Sequence, residues 1–274
     1  MLSLIKYICK KTIKERELTA NILYHKRFDI STEQFDRIKH LLPQAKSTGR
    51  PPLDNYQTLN AIFWIMRSGA PWRDLPPDYG NWNSIYHKFR QWCKQDIFIN
   101  ILRELNSDKS ILIEIDSTYC KVHQHAAGAR KIYGNQSIGV SRGGKNTKIH
   151  ALINEKFELL SFILTGGEVF DSRVAVELLK TVGLTDKTVL ADRAYGSDDI
   201  RTYLAQNEVK SRIPDKKNAQ IRHSFDREVY KQRNIVERFF GKIKQYRHIA
   251  TRYDKLSICF WNFIALAAIK IQLK

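Results

Sequence analysis

The sequence predicts an α/β protein in which a mixed five-stranded sheet with flanking helices follows a small all-α region. Between residues 28 and 105, apolar residues recur at helical spacing. The polar residues 106–110 separate this region from short apolar runs of the kind that form strands. From residue 171 onward, strands alternate with helices, which indicates parallel strands joined by crossover helices.

The first region predicts three short helices joined by turns rich in Pro and Gly. The first helix begins near Ser31, the second begins near Asp54, and the third covers about residues 82–95. This arrangement is typical of a helix-turn-helix domain, and a helical bundle without groove contacts is the alternative. We therefore predict a helical DNA-binding domain at residues 28–105 and make no assignment for residues 1–27.

The second region, residues 110–274, predicts the element order β-β-β-α-β-α-β-α. A meander of three strands precedes the alternating units, and the EKFE turn joins its second and third strands as a hairpin. This is the element order of the ribonuclease-H-like fold, in whose sheet the first and fourth strands are neighbours. The predicted strands cover residues 111–115, 147–154, 159–165, 188–192 and 209–213, and the predicted helices begin near Asp171, Ser197 and Tyr230.

The net charge indicates a polyanionic partner. The chain carries 46 Lys and Arg against 28 Asp and Glu, a formal net charge of +18. Folding alone does not require this excess, which raises self-repulsion, whereas binding to nucleic acid releases condensed counterions. A membrane surface is the rival partner. Because the basic residues are spread over the whole chain, a long nucleic-acid track is favoured over a membrane patch.

The cysteines and the apolar stretches indicate a cytoplasmic protein without a membrane span. The four cysteines form no Cys-x-x-Cys pair and no disulfide framework, as expected for reduced thiols. The longest apolar stretch, residues 256–273, is interrupted by Asn262, Lys270 and Gln272. We therefore predict a buried terminal helix there.

The stretch YKQRNIVERFFGKIK, from Tyr230 to Lys244, predicts one helix with two distinct faces. At about 100° per residue, Tyr230, Arg233, Glu237 and Lys244 share one narrow sector, and the apolar residues lie opposite. Arg238 lies on a basic flank of that sector. An exposed helix face with an i,i+4 ion pair shows the same pattern without any function.

Three acids are predicted to meet at one edge of the sheet. Asp116 lies at or near the end of the first strand, Asp192 ends the fourth strand, and Glu237 lies on the final helix. Three converging carboxylates repel one another, and a divalent cation removes that cost. An all-oxygen ligand set favours Mg²⁺ or Mn²⁺, and two such ions suit in-line attack at a phosphodiester. The alternative is that the acids are caps and surface charges.

The spacing Tyr230-x2-Arg233-x3-Glu237-x6-Lys244 matches the Y-R-E-K signature of bacterial insertion-sequence DDE transposases, which this chain resembles over about residues 28–272. Phe170, Arg193 and Gly196 depart from the family pattern but lie outside the acids. Further blocks that carry the resemblance are GRPPLDN…AIFWIMRSGAPWRDLP at 49–76, DSTYCKVHQHAAGARK at 116–131, SRGGKNTKIHALI at 141–153, LADRAYGSD at 190–198 and KQRNIVERFFGKIKQYRHIATRYDKL at 231–256.

The resemblance implies a ribonuclease-H-like catalytic domain at residues 110–274. In that domain Asp116, Asp192 and Glu237 would form the catalytic, metal-binding triad. The resemblance further implies that the Tyr, Arg and Lys of the signature contact the DNA ends. It also implies that a dimer or larger homo-oligomer bridges two ends.

Three further cations are predicted to contact DNA. Arg238 flanks the signature row. Arg50 lies in Gly49-Arg50-Pro51, which resembles the core of a minor-groove arm, although a plain loop is the alternative. Lys148 follows the basic turn SRGGK, which we predict to lie close to the DNA backbone.

Two other groups have plainer interpretations. We predict that Asp171 caps a helix, and the alternative is that it serves as a fourth metal ligand. His123 and His125 read as part of a loop that contacts DNA or packs locally, with a metal pair as the alternative.

The sequence thus predicts a transposase that binds the terminal inverted repeats of its element, cleaves the DNA ends and joins them to target DNA. Two alternatives stay open. One is a helix-turn-helix regulator with an inactive catalytic domain, and the other is a simple DNA nuclease of the same fold.

Overall fold

The computed structural model describes residues 26–44, 52–106, 110–215, 230 and 233–274. The helical region contains α1 (Thr32–Asp36), α2 (Asn55–Ser68), α3 (Trp82–Lys94) and α4 (Ile97–Leu105).

The predicted helix starts are confirmed, and each has a local cause. Ser31 and Gln34 form a reciprocal capping box at the start of α1. The Asp54 side chain accepts a hydrogen bond from the backbone N–H of Gln57 at 2.7 Å, which starts α2. This helix ends where Gly69 adopts a left-handed conformation, φ 68°. The prediction of three helices omitted α4, which follows α3 after a turn of two residues.

The sheet has the predicted central order but more strands than predicted. The three-stranded meander β4-β3-β1 is antiparallel, and β5 and then β6 continue the sheet in parallel to β1. Two short strands, β2 and β7, make the sheet seven-stranded rather than five-stranded. They hold three and two residues, too few to show strand periodicity in the sequence. The strands are β1 (Leu112–Val122), β2 (Gly139–Ser141), β3 (Gly144–Asn154), β4 (Leu159–Gly166), β5 (Thr188–Ala191), β6 (Lys210–Arg212) and β7 (Thr251–Arg252).

In the described part of the chain, five further helices accompany the sheet. The prediction of one helix from Tyr230 onward was wrong in its start, because Arg233 and Asn234 form a turn and the helix begins at Ile235. The helices are α5 (Asp171–Leu179), α6 (Asp198–Gln206), α7 (Ile235–Ile243), α8 (Arg247–Ala250) and α9 (Ser257–Gln272).

One hydrophobic core lies on each face of the sheet. The helices α5 and α6 cover one face, where Leu178 and Leu204 pack with strand residues such as Ile115. On the other face, α7, α9 and the whole helical region share a single core. Phe263 of α9 packs against Phe89 of α3, with ring centroids 4.7 Å apart.

The terminal helix α9 is the centre of that shared core. Its residues from Phe263 to Ile269 are all fully buried, which confirms the predicted buried helix. In the described parts of the chain, no helix is both long and apolar enough to cross a bilayer.

Candidate functional site

The strand register places Asp116 and Asp192 side by side. Parallel pairing of β1 with β5 runs from Leu112 opposite Thr188 to Ile115 opposite Ala191, where β5 ends. The next residue on each strand is an acid. Asp116 lies in the middle of β1 rather than at its end, because β3 continues to pair with β1 on the other side. The two acids therefore lie side by side where β5 ends and β1 continues. We name this place the notch and define it by Asp116 and Asp192.

Glu237 is held beside this notch by the packing of α7. The apolar face of α7, which includes Val236, Phe239 and Ile243, is fully buried against the sheet. The Glu237 side chain points away from that face and is 60% exposed.

A buried carboxylate fixes the start of α7. Glu114 is 1% exposed, and its Oε2 accepts a hydrogen bond from the backbone N–H of Val236 at 2.9 Å. The N–H groups of a first helical turn have no partner within the helix, so an acid from β1 stabilises them. This contact joins the strand that carries Asp116 to the helix that carries Glu237. Sequence reasoning missed Glu114 because the cap comes from 122 positions away.

Arg233 lies between two of the acids. Its Nη2 is 3.6 Å from Oδ2 of Asp116 and 3.2 Å from Oε1 of Glu237. The two carboxylate oxygens therefore lie no farther apart than the sum of those distances. The Nη1 of Arg233 donates a hydrogen bond to the Tyr230 hydroxyl at 3.0 Å.

The electrostatics of the notch show that all three acids interact. The pKa of Asp116 is raised to about 6, chiefly by burial and also by the negative charges of Asp192 and Glu237. The hydrogen bond from the Ser117 N–H, 2.7 Å from Asp116 Oδ1, and the Arg233 guanidinium oppose that rise. A carboxyl group whose neighbours disfavour its charge is one that gains from a bound cation.

Burial also raises the pKa of Glu114, to about 7. The backbone N–H groups at the start of α7 oppose that rise, and the second carboxylate oxygen, Oε1, has no hydrogen-bond partner among the residues that the structure describes. Glu114 thus adds a second acid with a perturbed pKa to this part of β1.

The donor chemistry of the notch fits a divalent metal ion. The acids offer only hard oxygen ligands, and the raised pKa of Asp116 reflects negative charge that a cation would stabilise. Among the described residues, no three His, Cys, Asp or Glu side chains are close enough to hold one ion. In this arrangement the Arg233 guanidinium supplies the positive charge between Asp116 and Glu237.

The predicted DNA-contact residues are in different environments. Lys244 donates a hydrogen bond from Nζ to Oγ1 of Thr118, two residues along β1 from Asp116. Arg238 is exposed, with its guanidinium 5.5 Å from the ring centre of Phe157. Arg50 lies outside the described residues.

Lys148 is buried, which argues against the predicted DNA contact. Its side chain is 3% exposed and bonds to the Val169 carbonyl at 2.6 Å and to Asp171 Oδ1 at 3.1 Å. Lys148 lies on the side of β3 that faces away from Asp116, because neighbouring positions on a strand alternate between faces.

Asp171 is the centre of a polar network directly behind the notch, and it is not the cap of α5. The cap position belongs to Phe170. The Asp171 carboxylate instead accepts a hydrogen bond from Oγ of Ser117 at 2.7 Å, contacts Lys148 and lies 3.5 Å from Nδ1 of His150. One signal in the sequence was available: Lys148 and His150 occupy alternate positions of β3, which places both side chains on the same face of the sheet.

His123 and His125 pack locally. Their rings lie 4.6 Å apart, and His123 also contacts the Tyr253 ring at 5.1 Å. Within the described residues they belong to no group that could hold a metal ion.

The strand order and the acids at the β1–β5 notch place the chain in the ribonuclease-H-like class. The chain belongs to the transposase DDE domain family, whose model matches residues 107–269. A second family model, described as "Putative transposase of IS4/5 family", matches residues 30–102. The boundary between the two matches falls where the sequence changes from helices to strands. The chain is thus a DDE transposase of the bacterial insertion-sequence type, an enzyme of DNA cleavage and strand transfer.

The chain is also similar to individual proteins and solved structures. A "Putative transposase for insertion sequence element IS6501" from Brucella ovis is 34% identical over 132 residues, which is 47% of this chain and 98% of that protein. The uncharacterized protein y4sN of Sinorhizobium fredii is 33% identical over 106 residues, which is 38% of this chain and 85% of that protein. Among solved structures, a piggyBac transposase in a synaptic complex with hairpin DNA has a TM-score of 0.44 at 12% identity, covering 91% of this chain and 73% of that chain.

Proposed function

We propose that this transposase binds the terminal inverted repeats of its own element, hydrolyses the DNA ends and joins the new 3′-hydroxyl to target DNA. The observation that carries the proposal is the notch, where Asp116 in β1 lies beside Asp192 at the end of β5 and both interact electrostatically with Arg233 near Glu237.

Asp116, Asp192 and Glu237 are the residues that would hold the metal, Mg²⁺ or Mn²⁺, as two ions. A bound divalent metal supplies a Lewis acid that activates the attacking water or hydroxyl and stabilises the leaving oxygen. The three side chains converge from two strands and one helix. Their relative positions therefore depend on the sheet register and on the cap that Glu114 provides.

The cations beside the acids orient the substrate phosphate. Arg233 pairs with Asp116 and Glu237 in this structure, and it becomes available to a phosphate once these acids bind metal. Lys244, held on β1 by Thr118, reaches the phosphate on the other side of the notch. Tyr230 orients the Arg233 guanidinium through the hydrogen bond to its hydroxyl.

The helical region and the basic surface bind the DNA outside the notch. The net charge of +18 supplies the general attraction to a polyanion, and the exposed Arg238 extends it along α7. A dimer or larger homo-oligomer bridges the two ends of the element in the active complex, which forms on DNA in the cytoplasm.

A single assay tests this function. Labelled element ends, a target plasmid and Mg²⁺ are incubated with the wild type, with Glu237→Gln and with the matched control Glu177→Gln. Glu177 is an exposed glutamate on α5, on the opposite face of the sheet. We expect joined product from the wild type and the control, and none from Glu237→Gln, which still folds and binds the ends.

Each alternative gives a different result in that assay. Cleavage without joined product indicates a nuclease. Binding to the ends without metal-dependent chemistry in any of the three proteins indicates a regulator. Joined product from Glu237→Gln at the wild-type rate removes Glu237 from the catalytic site.

A further inference from the structure

A groove of about 610 Å³ lies between the helical region and the loops that follow β1 and β7. Its walls come partly from three of the blocks that carry the family resemblance, through Arg73, Arg130 and Tyr253, and partly from residues between those blocks, such as Trp82 and Tyr133. None of the residues assigned to the notch lines it. We name it the aromatic groove and define it by Arg73, Trp82, Arg130, Tyr133, Tyr253 and Lys255.

The aromatic groove exposes ring surface. Tyr133 is 53% exposed and Tyr253 is 38% exposed, although both are large side chains that usually pack in a core. Tyr253 is nonetheless held in place, because its ring contacts those of His123 and His248 at 5.1 and 5.6 Å. Such a ring is already ordered and presents a surface on which a planar group can stack.

Positive charge surrounds these rings. The Arg73 guanidinium lies 5.6 Å from the centre of the Trp82 ring, and Arg130 and Lys255 are exposed. One acid, Asp254, also lines the groove. Its Oδ2 lies 2.9 Å from Nε2 of His248, so this carboxylate already has a hydrogen-bond partner. The groove therefore carries a net positive charge next to its aromatic surface.

Exposed rings beside cations are the features that bind single-stranded nucleic acid, since bases stack on the rings and phosphates pair with the cations. A volume of about 610 Å³ is that of a small-ligand pocket, so it admits a nucleotide and excludes a duplex. The chemistry of the groove thus selects an unpaired nucleotide.

The groove lies within reach of the acids along β1. This strand continues from Asp116 to Val122, which pairs with Arg252, and Tyr253 is the next residue. At about 3.3 Å per residue, the six-residue run from Asp116 to Val122 spans about 20 Å. A DNA strand that leaves the notch covers that distance within about six nucleotides at the spacing of B-DNA.

We propose that the aromatic groove binds an unpaired nucleotide of a DNA strand that separates from its complement near the acids. The assignment rests on the proposed function only in that cleavage at the notch supplies the separated strand. Binding to the groove requires neither the metal nor the acids.

Fluorescence anisotropy of a short labelled oligothymidylate with the full chain, without metal, tests the proposal. We expect Tyr253→Ala and Arg130→Gln each to raise the Kd of the oligothymidylate roughly 5- to 100-fold, the range typical of one lost stacking contact. Tyr253→Phe keeps the ring and restores wild-type affinity. Because Arg130 lies on an exposed loop, its variant tests the groove even if Tyr253→Ala fails to fold.

The chain offers a matched control on the other side of the sheet. Phe170 is 70% exposed, and the Arg173 guanidinium lies 5.9 Å from its ring centre. Phe170→Ala and Arg173→Gln remove an exposed ring and a neighbouring cation of the same type outside the groove. We expect neither to change the Kd of the oligothymidylate.

The proposal is overturned if the wild type does not bind the oligothymidylate, if both groove variants bind it as the wild type does, or if Phe170→Ala weakens binding equally. Cleavage and joining of duplex ends are measured in parallel. If the wild type cleaves and joins duplex ends but does not bind the oligothymidylate, this inference is wrong and the proposed function stands. If the wild type binds the oligothymidylate in the groove but neither cleaves nor joins duplex ends, the proposed function is wrong and this inference stands.

Discussion

Arg233 is the residue whose role changes most between the sequence and the structure. By spacing alone its pair with Glu237 is ordinary surface decoration, worth a few tenths of a kcal/mol. The structure adds a second partner, the partly buried Asp116, on the same guanidinium nitrogen. One cation thereby neutralises acids from a strand and a helix that are far apart in the sequence.

We predict that Arg233→Gln lowers the stability of the metal-free protein and increases the stabilisation that Mg²⁺ provides. Without the guanidinium, Asp116 and Glu237 repel each other, at a cost of about 1–2 kcal/mol given the exposure of Glu237. Mg²⁺ binding then has no guanidinium to displace. The rise in Tm on adding Mg²⁺, measured by calorimetry, should be larger in Arg233→Gln than in the wild type. An equal rise in both proteins would contradict this role.

His150 predicts how stability depends on pH. Its pKa is lowered from 6.5 to about 4, chiefly by burial; the negative charge of Asp171 opposes this shift and the positive charge of Lys148 adds to it. Between these two values the folded state binds fewer protons than the unfolded state, so the free energy of unfolding falls as the pH drops from 6.5 to 4. The loss attributable to His150 is roughly 3 kcal/mol.

The measurement is urea unfolding of the wild type and His150→Gln across that pH range. Other acids titrate in both proteins, so the difference between their pH profiles isolates His150. We expect a clearly smaller loss of stability in His150→Gln. Parallel profiles would show that the buried imidazole does not resist protonation.

At the scale of elements, β1 has two faces with separate tasks. Asp116 and Thr118 face α7, where they contact Arg233 and Lys244. Ser117 faces α5, where its hydroxyl bonds to Asp171, while its backbone N–H bonds to Asp116 Oδ1. Asp171 therefore acts on Asp116 through Ser117 and is a positioning residue.

We predict that Ser117→Ala weakens Mn²⁺ binding about 10- to 100-fold, as loss of a residue that orients a metal ligand usually does. The change leaves the ion pair of Lys148 with Asp171 in place, so the fold is retained. Electron paramagnetic resonance titration of Mn²⁺ measures the affinity directly, and Ser117→Thr should restore it. Thr181→Val, which removes a side-chain hydrogen bond just after α5, is the control. Unchanged affinity in Ser117→Ala would remove Asp171 from the site.

The sequence was sufficient for the strand order and for the juxtaposition of the acids. Alternation of apolar runs with helical segments predicted that the first and fourth strands are neighbours, and the pairing of Ile115 with Ala191 agrees. It could not predict that Asp116 lies in mid-strand, because this depends on where β5 ends relative to β1. The start of α7 was also beyond local signals, since its cap is the distant Glu114.

The burial of Lys148 shows a third limit of sequence reasoning. A lysine after a basic turn is ordinarily exposed, and two cations, Arg142 and Lys145, precede Lys148 in that turn. The carboxylate that stabilises it here belongs to Asp171, on a helix that packs on the far face of the sheet. Such a tertiary partner determines whether a cation faces solvent or the protein interior.

At the scale of the molecule, the helical region and the sheet share a core, although sequence composition suggests two domains. The helix α9 packs against α3, α4 and α7, with Phe263 in ring contact with Phe89 and His248. Removing the helical region would expose the apolar side of α9. Residues 110–274 expressed alone should therefore associate or fail to fold cooperatively, as gel filtration and calorimetry will show.

The position of the tryptophans allows a sharper test of this unity. All five lie in the helical region or in α9, on one face of the sheet. Leu204 of α6 is fully buried in the core of the opposite face. Leu204→Ala should cost about 2–5 kcal/mol through the cavity it creates. If the molecule unfolds as one unit, tryptophan fluorescence and far-ultraviolet circular dichroism report the same lowered midpoint, although no tryptophan lies near the change.

Phe263→Ala, in the core that contains the tryptophans, should shift both signals together in the same way. A fluorescence midpoint that stays at the wild-type value in Leu204→Ala, while the dichroism midpoint falls, would mean that the two faces unfold independently and that the DNA-binding and catalytic regions are separable after all.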